Sequence, residues 1–180
     1  SNSAALLAQN RVYSGCVGII ATGAQSQVVT KENHVGANRS TGVMFTTGCR
    51  ATCHKDKVLD NCMDGTGASK NNNENREEAV TGGLVLTDRE TKVECNDLIV
   101  RNNGGRAGVV CVEGATVTCT NCEIALNRHS GIAVQSYDTT VIVTSSTIER
   151  NSFHGISIGS PTDTHHNSEV KVTATTIAEN

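Results

Sequence analysis

Short alternating runs of apolar residues set the rhythm of this chain. Ile132/Val134, Val141/Val143 and Val170/Val172 each skip one residue, and each run is closed within a few positions by Gly, Asn or Ser. Alternation over so few residues predicts strands, whose side chains swap faces at every step. Helical spacing of apolar positions is absent. Ala4 to Ala8 could open a helix, but Leu7-Ala8-Gln9-Asn10 also fits the close of a preceding coil.

The runs recur in a fixed order. Gly131-Ile132-Ala133-Val134 leads to Val141-Ile142-Val143-Thr144 and then to Ile148-Glu149-Arg150-Asn151. One copy earlier stand Gly108-Val109-Val110-Cys111, Val117-Thr118-Cys119-Thr120 and Ile124-Ala125-Leu126-Asn127; one copy later stand Gly155-Ile156-Ser157-Ile158, Val170-Lys171-Val172-Thr173 and Ile177-Ala178-Glu179-Asn180. Gly18, Gly42 and Gly83 head three further copies, and the heads repeat every 23 to 25 residues except across the wider gap from Gly42 to Gly83. The copy headed by Gly83 slips by one residue between Val93 and Ile99, which predicts a bulge. Three short strands cannot bury a face alone, whereas stacked copies share one interior. The expected fold is all-β: a right-handed parallel β-helix of six to seven coils, three strands per coil. Residues 1–180 form one such domain, expected to be part of a longer solenoid or multidomain chain, with a polar insertion at 63–82.

The stacking fixes rows. Asn10, Asn38, Asn61, Asn102, Asn127, Asn151 and Asn180 share a register that predicts a ladder of side-chain amides at one corner, each donating to the next. Thr120, Thr144 and Thr173 form a shorter row, and Ile124, Ile148 and Ile177 an inward one. Too few Thr align for an ice-binding array. The outward position of the Gly-led strand holds Ile20, Met44, Val85, Val110, Ala133 and Ser157, a mostly apolar stripe that would be unusual on a soluble monomer unless something covers it. This stripe is the candidate binding surface, for a protein partner first and a glycan second. Charging its middle (Val110→Asp) is then expected to weaken docking and leave the fold intact.

Composition narrows the function classes. Eighteen acidic against 15 basic residues give a net charge of −3, too balanced to predict a nucleic-acid or anionic-membrane partner. No apolar run approaches the roughly 20 residues of a membrane span. Of the eight cysteines, Cys53, Cys95, Cys111 and Cys119 fall on inward positions, where a free thiol packs as a small hydrophobe. Buried reduced thiols predict a reducing, cytoplasmic setting. A zinc cluster of Cys49, Cys53, His54 and Cys62 lacks a second short-spaced pair. Asp163, His165, His166 and Glu169 crowd one loop, but a solvated turn accounts for them. No metal or cofactor is therefore expected.

The recurring G-[IV]-x-[VI] … V-x-[VC] … I-x-x-N pattern resembles the right-handed β-helix repeat family, related in architecture to the pectate lyases. The resemblance covers nearly the whole chain outside the insertion. It implies either a carbohydrate-processing enzyme or a non-enzymatic member, such as the β-helix domains attached to F-box proteins. The N-T-D, D-D, G-H-G and R-I-K signatures of polygalacturonases do not occur; Phe153-His154-Gly155 echoes the third only in part. No acidic pair stacks in register for glycoside hydrolysis, and the four aromatics are few for a sugar cleft. The expectation is a non-catalytic scaffold or recognition domain. The alternative is a polysaccharide-active lyase, hydrolase or epimerase, whose catalytic residues cannot be assigned from these signatures.

Overall fold

The computed structural model describes residues 3–63, 80–159 and 167–180. Three parallel sheets wind through about six turns, with no helix among the described residues and thus none long and apolar enough to cross a membrane. The long sheet stacks seven five-residue strands: Ala4–Ala8, Gln27–Lys31, Arg50–His54, Lys92–Asn96, Thr116–Thr120, Thr140–Thr144 and Glu169–Thr173. The short sheet stacks seven three-residue strands: Arg11–Tyr13, His34–Gly36, Lys57–Leu59, Ile99–Arg101, Glu123–Ala125, Thr147–Glu149 and Thr176–Ala178. The glycine sheet has six: Val17–Thr22, Thr41–Thr46, Gly82–Leu86, Ala107–Cys111, Ser130–Val134 and Ile156–Ile158.

Strand periodicity fills one interior from all three sheets. Val117, Val141, Val134, Val143, Ile124 and Ile148 are all fully buried, and Cys53, Cys95, Cys111 and Cys119 point inward with them. The paired registers place Thr120, Thr144 and Thr173 in one row and Ile124, Ile148 and Ile177 in another. The expected bulge is not there. Val100, not Ile99, pairs with Val58 and Ile124, so counting from Val100 removes the slip. Ala4–Ala8 is a strand paired with Gln27–Lys31. The insertion ends earlier than expected, because Gly82 already pairs with Ala107; residues 64–79 lie outside the described ones.

At the corner between the short and glycine sheets, buried asparagines stack. Asn38 Nδ2 donates to Asn61 Oδ1 at 2.8 Å, Asn61 to Asn103 at 3.0 Å, Asn103 to Asn127 at 3.1 Å, Asn127 to Asn151 at 2.9 Å and Asn151 to Asn180 at 2.8 Å. Each Oδ1 also accepts the backbone N–H of the preceding rung, as Asn127 Oδ1 does from Asn103 at 3.0 Å. The rung is Asn103 and not Asn102. Asn102 is exposed and occupies the left-handed position (φ 54°) that precedes every rung, a conformation asparagine tolerates well. Asn10 leaves the row too: its side chain bonds Asn33 at 3.0 Å, in the corner between the long and short sheets.

The Gly heads of the repeat are a steric consequence of this stack. A Cβ at Gly108 would lie 2.5 Å from Asn127 Nδ2 and 3.0 Å from Gly131 O; one at Gly42 would lie 2.7 Å from both Asn61 Nδ2 and Gly83 O. The amide of the next coil fills the space a side chain would need.

Candidate ligand-binding face

The sequence-predicted stripe does not form an open surface. Val85 and Val110 are fully buried and Ala133 nearly so, while Ile20 is 57% exposed and Met44 and Ser157 are half-buried. Val85, Ala107, Val110, Val112 and Ala133 form a second apolar cluster outside the main core, with Met44 and Val80 packed against it. Its members Ala107 and Val112, and Val80 packed against it, stand outside the repeat positions that define the stripe, so the repeat alone could not reveal the covering. A charge at Val110 would enter this cluster and unfold it rather than probe docking.

The cysteine cluster separates as well. Cys49, Cys53 and Cys62 are buried, whereas alternation puts His54 on the outer face of its strand. Burial pushes the Cys49 thiol above its usual range, and that of Cys111 up to about 12. Among the described residues no group of three or more His, Cys, Asp or Glu side chains is arranged to hold a metal ion. Asp163, His165 and His166 lie outside the described residues; Glu169 pairs with Lys171 at 2.8 Å.

What the register does assemble is a cationic face. The outward side of the long sheet, the corner after it and the first row of the short sheet carry Arg11, Lys31, Arg50, Lys55, Lys57 and Lys92, all exposed, in the first four coils. The same area holds three solvent-facing carboxylates, Glu32, Glu94 and Asp97. With the buried Asp56 carboxylate of the same corner, six against four gives a local excess of +2 on a chain whose net charge is −3. These cations are scattered from residue 11 to residue 92, and only strand register brings them together. Composition alone hid them.

Two shallow depressions flank the corner. One, of 400 Å³, is lined by Arg11, His34, Lys55 and Lys57 together with Gln9, Asn10, Glu32 and Asn33. The other, of 250 Å³, lies on the long sheet over Gln27, Arg50, Thr52, Lys92 and Glu94. In the first of them Gln9 Nε2 donates to Glu32 at 3.0 Å, and that bond, helped by the charges of Lys31 and Lys55 and opposed by desolvation, holds the Glu32 carboxyl below its ordinary value. His54 Nδ1 stands 3.7 Å from Asp97 Oδ2, and Asn121 donates to the other oxygen of the same carboxylate. Further along the axis the groove turns acidic, with Asp97, Glu123 and Glu149 lining its next depression beside Arg101, which is paired with Glu123.

No family model matches this sequence, and no curated protein matches it. Among solved structures, the crystal structure of the periplasmic alginate epimerase AlgG aligns with 95% of this chain at a TM-score of 0.67 and 14% identity. The chain is a right-handed parallel β-helix. It spans 39% of that epimerase's length, and at this identity the likeness carries the architecture and nothing about the chemistry.

Proposed function

We propose that this β-helix is a recognition domain for an acidic polysaccharide, laid along the solenoid axis over the first four coils. The observation that carries the reading is the set of outward cations presented by successive coils. Arg50 and Lys92 are register partners on adjacent strands, about 4.8 Å apart along the axis, and Arg11 and Lys57 flank His34 from the coils on either side, a cationic strip suited to an extended chain that carries carboxylates. The architectural likeness to an alginate epimerase is compatible with a polysaccharide as the ligand. The covered stripe at Val85 and Val110 argues in the same direction, since it removes the apolar surface a protein partner would need. A reducing compartment remains part of the reading, supported by the buried free thiols.

The test is calorimetry with oligouronates against neutral glucans of equal length, repeated with the Lys55→Glu/Lys57→Glu variant. Binding should be confined to the acidic chains and weaken with added salt. The double reversal should cost at least tenfold in affinity and leave the melting temperature in place. Equal binding of neutral glucans, or no binding of acidic ones, overturns the reading.

One observation favours a second, enzymatic reading. His54, 3.7 Å from Asp97 and the register partner of Lys31 on the neighbouring strand, has the makings of a general base beside a carboxylate-neutralising cation. Incubation with polyuronate in heavy water would then place deuterium on the sugar ring or generate an unsaturated end, and His54→Ala would abolish either. With neither product formed, binding alone is left.

A further inference from the structure

The interior holds a column of sulfur that packing alone does not require. Cys53, Cys95 and Cys119 are register partners on three successive strands of the long sheet, all inward and at most 3% exposed. Cys95 sits between the other two, one strand spacing from each. Cys122, from the adjoining corner, points its own thiol at the carbonyls of Cys95 (3.5 Å) and Thr120 (3.4 Å). In the next two coils the same inward row is filled by Val143 and Val172. The space suits a valine. Three sulfurs in a line have a chemistry that valine lacks.

Strand spacing decides which chemistry. Side chains of paired residues on parallel strands stand about 4.8 Å apart. A disulfide needs its Cβ atoms at about 3.8 Å, so direct oxidation would pull two coils together. Two metal–sulfur bonds of about 2.3 Å, the zinc–thiolate length, placed end to end span about 4.6 Å, close to the strand spacing. We propose that the Cys95–Cys119 pair is a two-coordinate site for a soft monovalent cation, Cu(I), bridging sulfur to sulfur between adjacent coils. Soft sulfur ligands select Cu(I), and neutral sulfur as well as thiolate serves. The exchange balances without burying a net charge: Cu(I) enters, the Cys119 thiol releases one proton, its thiolate binds the ion, and the Cys95 thiol donates a lone pair as second ligand. No electron is transferred. Because the row is sealed from solvent, the ion enters while the coils close, so loading is coupled to folding.

The experiment refolds the full chain anaerobically under reductant with buffered Cu(I), removes free metal, and measures retained copper, thiolate-to-copper ultraviolet absorption and melting temperature. The wild type should retain about one equivalent with a raised melting temperature, and X-ray absorption should find two sulfur neighbours. Cys95→Val and Cys119→Val, which place in the row what Val143 already places there, should lose the copper while keeping the β-sheet circular dichroism; Cys16→Ser, at an exposed thiol, should keep it. Absence of retained copper in the wild type overturns the site whatever the variants do. So does equal retention in either valine variant, or a sulfur count other than two. None of these readouts depends on polysaccharide binding.

Discussion

Two corners of this solenoid have the same backbone and different chemistry. At the short-to-glycine-sheet corner a left-handed residue precedes each rung: Ala37, Asp60, Asn102, Leu126, Arg150 and Glu179, with φ between 51° and 57°. At the long-to-short-sheet corner Gln9, Glu32, Lys55, Asp97, Asn121, Ser145 and Ala174 do the same, with φ between 48° and 58°. The first corner then uses asparagine at every rung from Asn38 to Asn180. The second uses Asn10, Asn33, Asp56, Leu98, Cys122, Ser146 and Thr175 in turn. Asp56 ends its amide run as a buried carboxylate, accepting from Asn33 N at 2.7 Å, Asn33 Nδ2 at 2.8 Å and Thr30 Oγ1 at 2.6 Å. Leu98 follows it with no polar side chain at all.

The difference lies in what the neighbouring sheet demands. The asparagine corner abuts the glycine sheet, whose heads leave no room for anything but the next amide. Each amide there also closes the carbonyl of an inward residue in the previous coil, as Asn127 Nδ2 does with Val100 O at 3.3 Å. One side chain must donate twice and accept twice in that space, and asparagine does so. The mixed corner has no glycine opposite it, so any residue that satisfies or avoids the local N–H is admitted.

The largest expected effect is therefore at the uniform corner. Asn127→Ala orphans the Asn103 N–H and takes one partner each from Asn103 Nδ2 and Asn151 Oδ1, which keep others, and should cost about 3 kcal/mol, the upper end of the usual penalty for one buried orphan. Urea unfolding measures it; a midpoint unchanged from wild type would mean the stack holds nothing together. Gly108→Ala should cost about 2 kcal/mol by overpacking. The informative quantity is their coupling. In the double variant the new methyl no longer meets Asn127 Nδ2, so the loss should fall short of the sum by about 1 kcal/mol. Strict additivity would separate the glycine period from the amide stack.

That coupling also explains what could be read from the chain alone. The glycine period, the strand alternation and the inward rows are local, repeated and redundant, so the fold was legible. The rung at Asn103 was misassigned because Asn102 beside it suits the left-handed position that precedes a rung, and Asn10 because both corners close on similar residues. The stripe and the cationic face failed for another reason. Val80 covers from outside the repeat, and Arg11, Lys31, Arg50, Lys57 and Lys92 converge only through register. Their proximity is written in the winding rather than in any local pattern.

At the mixed corner the same operation should cost less. Ser146 Oγ accepts the Cys122 N–H at 3.0 Å and donates to Thr144 O at 2.8 Å. Ser146→Ala removes one acceptor and should cost about 1 kcal/mol. A loss as large as that of Asn127→Ala would erase the distinction between the corners.

The smallest effect belongs to the third corner, between the glycine and long sheets, and it appears only as a pH dependence. Asp88 accepts the Thr46 hydroxyl, the Thr47 N–H at 2.7 Å and the Thr87 hydroxyl at 3.0 Å. The Thr46 bond, then the Thr47 N–H, hold its carboxyl below the ordinary value of 3.8, with burial opposing them weakly. A depressed folded pKa means the ionised form is the stabilising one. Its contribution is complete above the unfolded value and drains away as pH falls through 3.8 and on to the lower folded value. Melting temperature followed downward from about pH 5 should thus fall more steeply in the wild type than in Asp88→Asn, the two curves converging as the carboxylate protonates. Parallel curves would mean that the Asp88 charge contributes nothing here, leaving the turn to its hydroxyl and backbone bonds. In that case the third corner would join the mixed one, where the identity of the bonding group is free so long as an acceptor is present.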